Sequence, residues 1–114
     1  MIEVQYWNGA DGSRNLQMQG HAGSAPRGQD LICAGASTLA LTLGRAAARM
    51  EAEEMLARPA QVKLEAGDTA ISVLPREDWI AMVDTVFWTI LLGLSRLAQA
   101  YPQYIHLKGG ELNE

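Results

Sequence analysis

Two pairs of period-two segments, each followed by a long stretch of helical periodicity, restrict the fold of this chain more than any other feature. Ile2, Val4 and Tyr6 alternate with Glu3, Gln5 and Trp7, which reads as a strand. Residues 8–15, NGADGSRN, are rich in turn-forming types, and alternation resumes from Leu16 to His21. These segments are expected to pair as a hairpin, with His21 ending the second strand on its more polar face. Asp30 then stands at an N-cap, ahead of Ile32, Ala36, Leu39, Ala40, Leu43, Ala47 and Met50 at helical spacing. The spacing predicts a helix from about Leu31 to Leu56, stopped by Arg58 and Pro59. Its many alanines let a neighbour pack closely.

The second half repeats the order. Gln61 to Leu64 and Thr69 to Leu74 read as a hairpin around EAGD, where Gly67 suits a positive φ. Glu77 and Asp78 favour the start of a second helix, which runs to about Ala100, before Pro102. Trp79, Val83, Val86, Ile90, Leu94 and Leu97 form one apolar stripe, widened by Phe87, Leu91 and Ala98. Trp88 and Leu92 fall outside it, which leaves an apolar second side for a partner subunit. Tyr104 to Leu107 has the length of a short last strand. The expected fold is α+β, a two-layer sandwich. An antiparallel sheet of four to five strands carries two long helices on one face, in the order ββαββα. One domain over residues 1–107 is followed by a loose tail, 108–114.

Composition narrows the function. Hydrophobic residues make up 48% and charged residues 19%, enough to build a core. The net charge of −4 lacks the basic surface that grips phosphates, so no direct nucleic-acid binding is expected. Cys33 is the single cysteine and cannot form an internal disulfide, which suits a reducing compartment and a cytoplasmic location. The first residues, MIEVQYWNGADG, do not read as a secretory signal. The longest nearly unbroken apolar run, Val86 to Leu94, falls short of the roughly 20 residues of a membrane span. His21, Asp30, Cys33 and His106 lack the paired spacing of zinc ligands, and no P-loop or GxGxxG is present. No metal, cofactor or membrane is therefore expected.

One stretch carries chemistry. With Asp30 as N-cap, Cys33 is the third helical residue, where the positive end of the helix dipole favours a thiolate. The Asp30 carboxylate opposes that charge unless the amides of Ile32 and Cys33 engage it. His21 is separated from Asp30 by the loop Ala22 to Gln29, short enough to bring a base to a nucleophile. Free amides at the helix start are candidates to hold an oxyanion. Ser37, one turn after Cys33, either supports such a site or bonds back to a helix carbonyl. On residue types alone, Cys33 fits a buried small hydrophobe as well as a nucleophile.

The same residues carry a family pattern. Gly20-His21-Ala22-Gly23, then Gly28, Asp30-Leu31-Ile32-Cys33-Ala34 and Ser37, resembles the ribosomal-processing cysteine proteases called Prp. The resemblance implies a cytoplasmic homodimer with a Cys-His dyad. Cys33 would be the nucleophile and His21 its base and later acid, with Asp30 and Ser37 supporting. The loop bearing Gly23, Pro26, Arg27 and Gly28 would close over a bound peptide. The implied substrate is a precursor of large-subunit ribosomal protein twenty-seven, trimmed of a short N-terminal extension during ribosome assembly. Two departures stand out: Pro26 and Arg27 stiffen and charge the loop, and Gly35 replaces a common alanine. Glycine weakens a helix interior, so Gly35 is expected to serve a close contact beneath the site. The competing reading is a non-catalytic, ribosome-associated module that holds a basic ribosomal protein tail.

Overall fold

Both expected hairpins are present in the computed structural model, which describes residues 1–26 and 29–108. Arg27, Gly28 and all but Lys108 of the expected tail lie outside the described residues. Strands β1 (Ile2–Asn8) and β2 (Arg14–Gln19) pair antiparallel, with Val4 opposite Met18. Strands β3 (Gln61–Glu65) and β4 (Asp68–Val73) pair antiparallel with Leu64 opposite Thr69. Helix α1 (Leu31–Ala52) joins the hairpins. Helix α2 (Ile80–Ala100) follows β4 through a 3-10 turn at Glu77–Trp79, and β5 (Ile105–Lys108) ends the sheet. The sheet order is β3-β4-β2-β1-β5.

The two-layer α+β arrangement stands, but the sheet is mixed. β5 runs parallel to β1, with Ile2 beside Ile105 and Val4 beside Leu107. Because α2 carries the chain back along the sheet, β5 points the same way as β4. β4 and β1 are both antiparallel to β2, so β5 is parallel to β1 as well. Tyr104, the first residue expected in this strand, precedes it.

Period-two alternation places Ile2, Val4, Leu16, Met18, Ile71, Val73, Ile105 and Leu107 in one core with the helices. Helix α1 contributes Ile32, Ala36, Ala40, Leu43, Gly44, Ala47 and Met50, nearly the face its spacing foretells. Gly44 lies against the side chains of Leu64 and Val62, which a methyl group there would crowd at 3.0 and 3.3 Å. On α2 the buried centre is rotated toward Phe87 and Leu91, while Val86 and Leu97 are only partly covered. Phe87 meets the ring of Tyr6 at 5.9 Å between centroids. Arg14 on β2 ties the layers together by a two-pronged pair with Asp84, at 2.6 and 3.2 Å. Each helix also has the length and mean hydropathy of a membrane span, 1.4 and 1.5. Here that apolarity covers the sheet and the helix–helix contact.

Helix α1 stops at Ala52, four residues before the expected Leu56. Glu54 takes a left-handed conformation at φ 60°, Met55 N–H bonds Met50 O, and Glu54 N–H bonds Glu51 O. This is a Schellman ending with glutamate where glycine is usual, so no sequence signal marks it. It releases Leu56 into the core and into a bridge with Pro75.

Gly35 is not forced by a close contact. A Cβ added there would sit 3.6 Å from the nearest atom of Leu97, an ordinary packing distance. The expected tight contact beneath the site is therefore absent at this position.

Candidate active site

Strand β2 ends at Gln19, so His21 does not end a strand as expected but lies two residues beyond it. The turn is made at Gly20, whose φ of 93° lies in the left-handed region. A Cβ at Gly20 would run into the carbonyl oxygen of Met1, so the position needs glycine on two counts. Gly20 N–H bonds the carbonyl of Gly67 at 2.9 Å, which brings the β3–β4 turn beside His21. The imidazole lies directly over Gly67. A Cβ there would stand 2.6 Å from Nε2 and 3.0 Å from Cε1.

Asp30 caps α1 as its sequence position foretells. Oδ1 accepts the Ile32 N–H at 3.1 Å and the Cys33 N–H at 3.0 Å. Ser24, from the loop, adds its hydroxyl at 2.6 Å and its N–H at 3.0 Å. These donors, led by the Ser24 hydroxyl, hold the Asp30 carboxyl down at about 2. The carboxylate charge is thus satisfied by loop and helix donors. The amides of Ile32 and Cys33, two of those expected to hold an oxyanion, are occupied by it.

Cys33 is the third helical residue and is partly buried. Its Sγ accepts the backbone N–H of Ala22 at 3.2 Å. A cleft of about 670 Å³ is lined by His21, Gly23, Ala25, Asp30, Cys33 and Ser37, with Ala34 and Ala66. A smaller cleft of about 200 Å³ adjoins it, sharing His21, Cys33, Ser37 and Ala66 and reaching Gly67 and Asp68. His21 and Cys33 therefore stand where the two concavities meet. Ser37 faces both and makes no back-bond to the helix; that bond is made by its neighbour Thr38, to Ala34 O at 2.8 Å. Pro26 is exposed, and its carbonyl accepts the Gln29 N–H at 2.9 Å. The expected roles of Arg27 and Gly28 fall outside the described residues. His106 lines neither cleft and pairs with Glu3 at 3.1 Å. Among the described residues no three His, Cys, Asp or Glu side chains gather as a metal site.

Three contributors carry no mark in the sequence: Ser24, the Ala22 amide and Gly67. Each acts through a tertiary contact. Gly67 is legible as a turn residue but not as the surface on which the imidazole rests.

Asp30 also supplies a pH dependence. Its carboxyl is lowered in the folded chain from an ordinary 3.8 to about 2. Its contribution to stability is complete above the unfolded value and is lost as pH falls from about 4 to about 2. Asp11, held at about 2 by Ser13 and Arg58, titrates in the same window. Asp30→Asn, which keeps an acceptor but cannot titrate, is expected to show a shallower loss of stability across that window. Denaturant midpoints measured from pH 5 to pH 2 check this, and an unchanged slope would contradict it.

With this geometry in place, comparison with known proteins is informative. The family described as Cysteine protease Prp matches residues 1–106. Several solved structures share the fold, three of them as follows. One is an essential ribosomal processing protease Prp from S. aureus in complex with a covalently linked product peptide. It has a TM-score of 0.70 and 20% identity, covering 95% of this chain and 98% of that one. The same S. aureus protease with a substrate peptide gives 0.65 and 19%, again over 95% and 98%. SMU.848 from Streptococcus mutans gives 0.64 and 27%, over 95% and 92%. No curated protein matches the sequence.

Proposed function

Since this chain belongs to the cysteine protease Prp family, which acts in ribosomal protein processing, we propose that it trims large-subunit ribosomal protein twenty-seven. In this reading Cys33 and His21 form the dyad and remove the short N-terminal extension of the precursor. The observation that carries it is the placement of both side chains at the junction of two adjoining clefts. A peptide crossing that junction would present a scissile carbonyl to Sγ with chain on either side.

The steps follow from the groups in place. His21 takes the thiol proton, and sulfur attacks the carbonyl carbon while the carbonyl π pair moves to oxygen. Collapse re-forms the carbonyl and breaks the C–N bond, and His21 gives its proton to the departing amine. That amine is the new N-terminus of the trimmed protein, which leaves first. Water, giving a proton to the now neutral imidazole, attacks the thioester, the C–S bond breaks, and the excised extension leaves as its carboxylate. Asp30 and Ser24 tether the start of the loop to the helix, and Gly23 and Pro26 belong to the segment that closes over the peptide. Incubation with a tagged precursor, followed by mass mapping of the new N-terminus, tests the reading. An intact precursor would overturn it.

A cytoplasmic site of action accords with an unpaired thiol nucleophile. A homodimer is supported by the apolar outer side of α2, where Met82, Trp88 and Leu92 are 48%, 48% and 57% exposed. Sedimentation equilibrium is expected to return twice the 12.4 kDa chain mass, and a monomer at micromolar concentration would contradict the dimer.

A further inference from the structure

Resting on the cysteine peptidase reading, we propose that the backbone N–H of Ala22 is the donor that holds the Cys33 thiolate and then the oxyanion. In many thiol enzymes the amide of the nucleophile's own residue is free to serve the tetrahedral intermediate. Here it is not: Cys33 N–H is bonded to Asp30 Oδ1 at 3.0 Å, and Ile32 N–H shares that oxygen at 3.1 Å. Ala34 N–H is taken by the Asp30 carbonyl at 3.0 Å. The amides of Ile32, Cys33 and Ala34 are thus committed to the cap.

Among the described residues, the amide aimed at the reacting atom is that of Ala22, 3.2 Å from Sγ. It is held in place from both sides. The turn at Gly20 is pinned by its bond to Gly67, and the Ala22 methyl is 5% exposed, packed into the core. Ser24, two residues on, is fixed to Asp30 by its hydroxyl and its N–H. A rigid, pre-aimed donor is what electrostatic stabilisation requires, because no reorganisation is needed as charge develops.

The geometry suits a transfer. When sulfur bonds the scissile carbon, negative charge leaves Sγ and gathers on the carbonyl oxygen, one atom removed. A donor bonded to the thiolate lies within reach of the roughly 2.7–3.1 Å that an oxyanion needs. The Ala22 N–H therefore exchanges one acceptor for the other, while the proton on His21 remains for the leaving amine. Donation to sulfur in the free enzyme holds Sγ in place; donation to oxygen lowers the barrier.

Cys33 itself makes the test practicable, since it is a ligation site. A synthetic 1–32 segment bearing lactate in place of Ala22, joined to residues 33–114, gives the full chain with an ester oxygen where the N–H was. The all-amide ligated chain is the control. The ester chain is expected to lose on the order of 10²–10³-fold in kcat with KM nearly unchanged. It should also bind a peptide aldehyde, which forms a tetrahedral hemithioacetal on sulfur, more weakly than the control does. Its affinity for the cleaved peptide should be retained. Cleavage within about twofold of the control overturns the inference. If the ester chain fails to fold, the native protein decides. The Ala22 amide proton, followed by NMR, should move on formation of the aldehyde adduct, and an unmoved signal overturns the inference equally. A control chain that cleaves nothing would instead sink the peptidase reading.

Discussion

Cys33→Ala is expected to reduce precursor cleavage to background, a loss on the order of 10⁴-fold or more. In the proposed mechanism the substitution removes the attacking atom, and the other polar side chains shared by the two clefts, the His21 imidazole and the Ser37 hydroxyl, offer no thiol in its place. The fold should survive. Cys33 is only partly buried, and its sulfur is bonded to one backbone amide. His21→Ala is expected to lose less, roughly 10²–10⁴-fold, since a deprotonated thiol can still attack without a resident base. The double variant should resemble Cys33→Ala alone, because a base without its nucleophile contributes nothing. Rates of appearance of the trimmed protein check all three. Cleavage that persists in Cys33→Ala would remove the dyad. A wild type that binds the precursor tightly without cutting it would favour the binding-module reading instead.

Gly67→Ala is expected to be the most damaging change outside the dyad. Gly67 has φ 72°, so any side chain there costs about 1–2 kcal/mol of backbone strain. The larger effect is on catalysis. The added methyl would stand 2.6 Å from His21 Nε2, and the imidazole, at the end of a flexible side chain, is what yields. A displacement of about 1 Å at a catalytic group costs on the order of 10²-fold in rate. kcat should fall by about that factor while KM changes little. A double-mutant cycle separates positioning from general damage. In a His21→Ala background, Gly67→Ala should cost almost no further activity, whereas a structural fault would lower activity in both backgrounds. A full additional loss in that background would contradict the positioning role.

The sequence and the structure agree where the cause is local. Two alternating hairpins, an alanine-rich helix with its buried face, the Asp30 cap and the placement of Cys33 as third helical residue all follow from period, propensity and capping within a few residues. They part where the cause is not local. Glu54 ends α1 in a conformation that glutamate does not advertise, because burial of Leu56 outweighs the strain. The polar alternation through Gln19 suggests that His21 continues β2, but the left-handed turn at Gly20 swings it off the sheet. Gly35, read as a tight contact, has room beside Leu97.

By itself, the sequence determined the elements, their order, and the candidate nucleophile at a capped helix start, with a histidine a short loop away. Those depend on interactions between near neighbours, which residue types encode directly. Only the tertiary structure decided that β5 is parallel, that His21 rests on Gly67, and that the Ala22 amide, and not the helix's own, is aimed at sulfur. Each of these joins residues from separate elements whose approach is set by the packing of the whole core. A glycine that admits an imidazole and an amide that meets a thiol have no local signature, because the partner arrives from elsewhere in the chain.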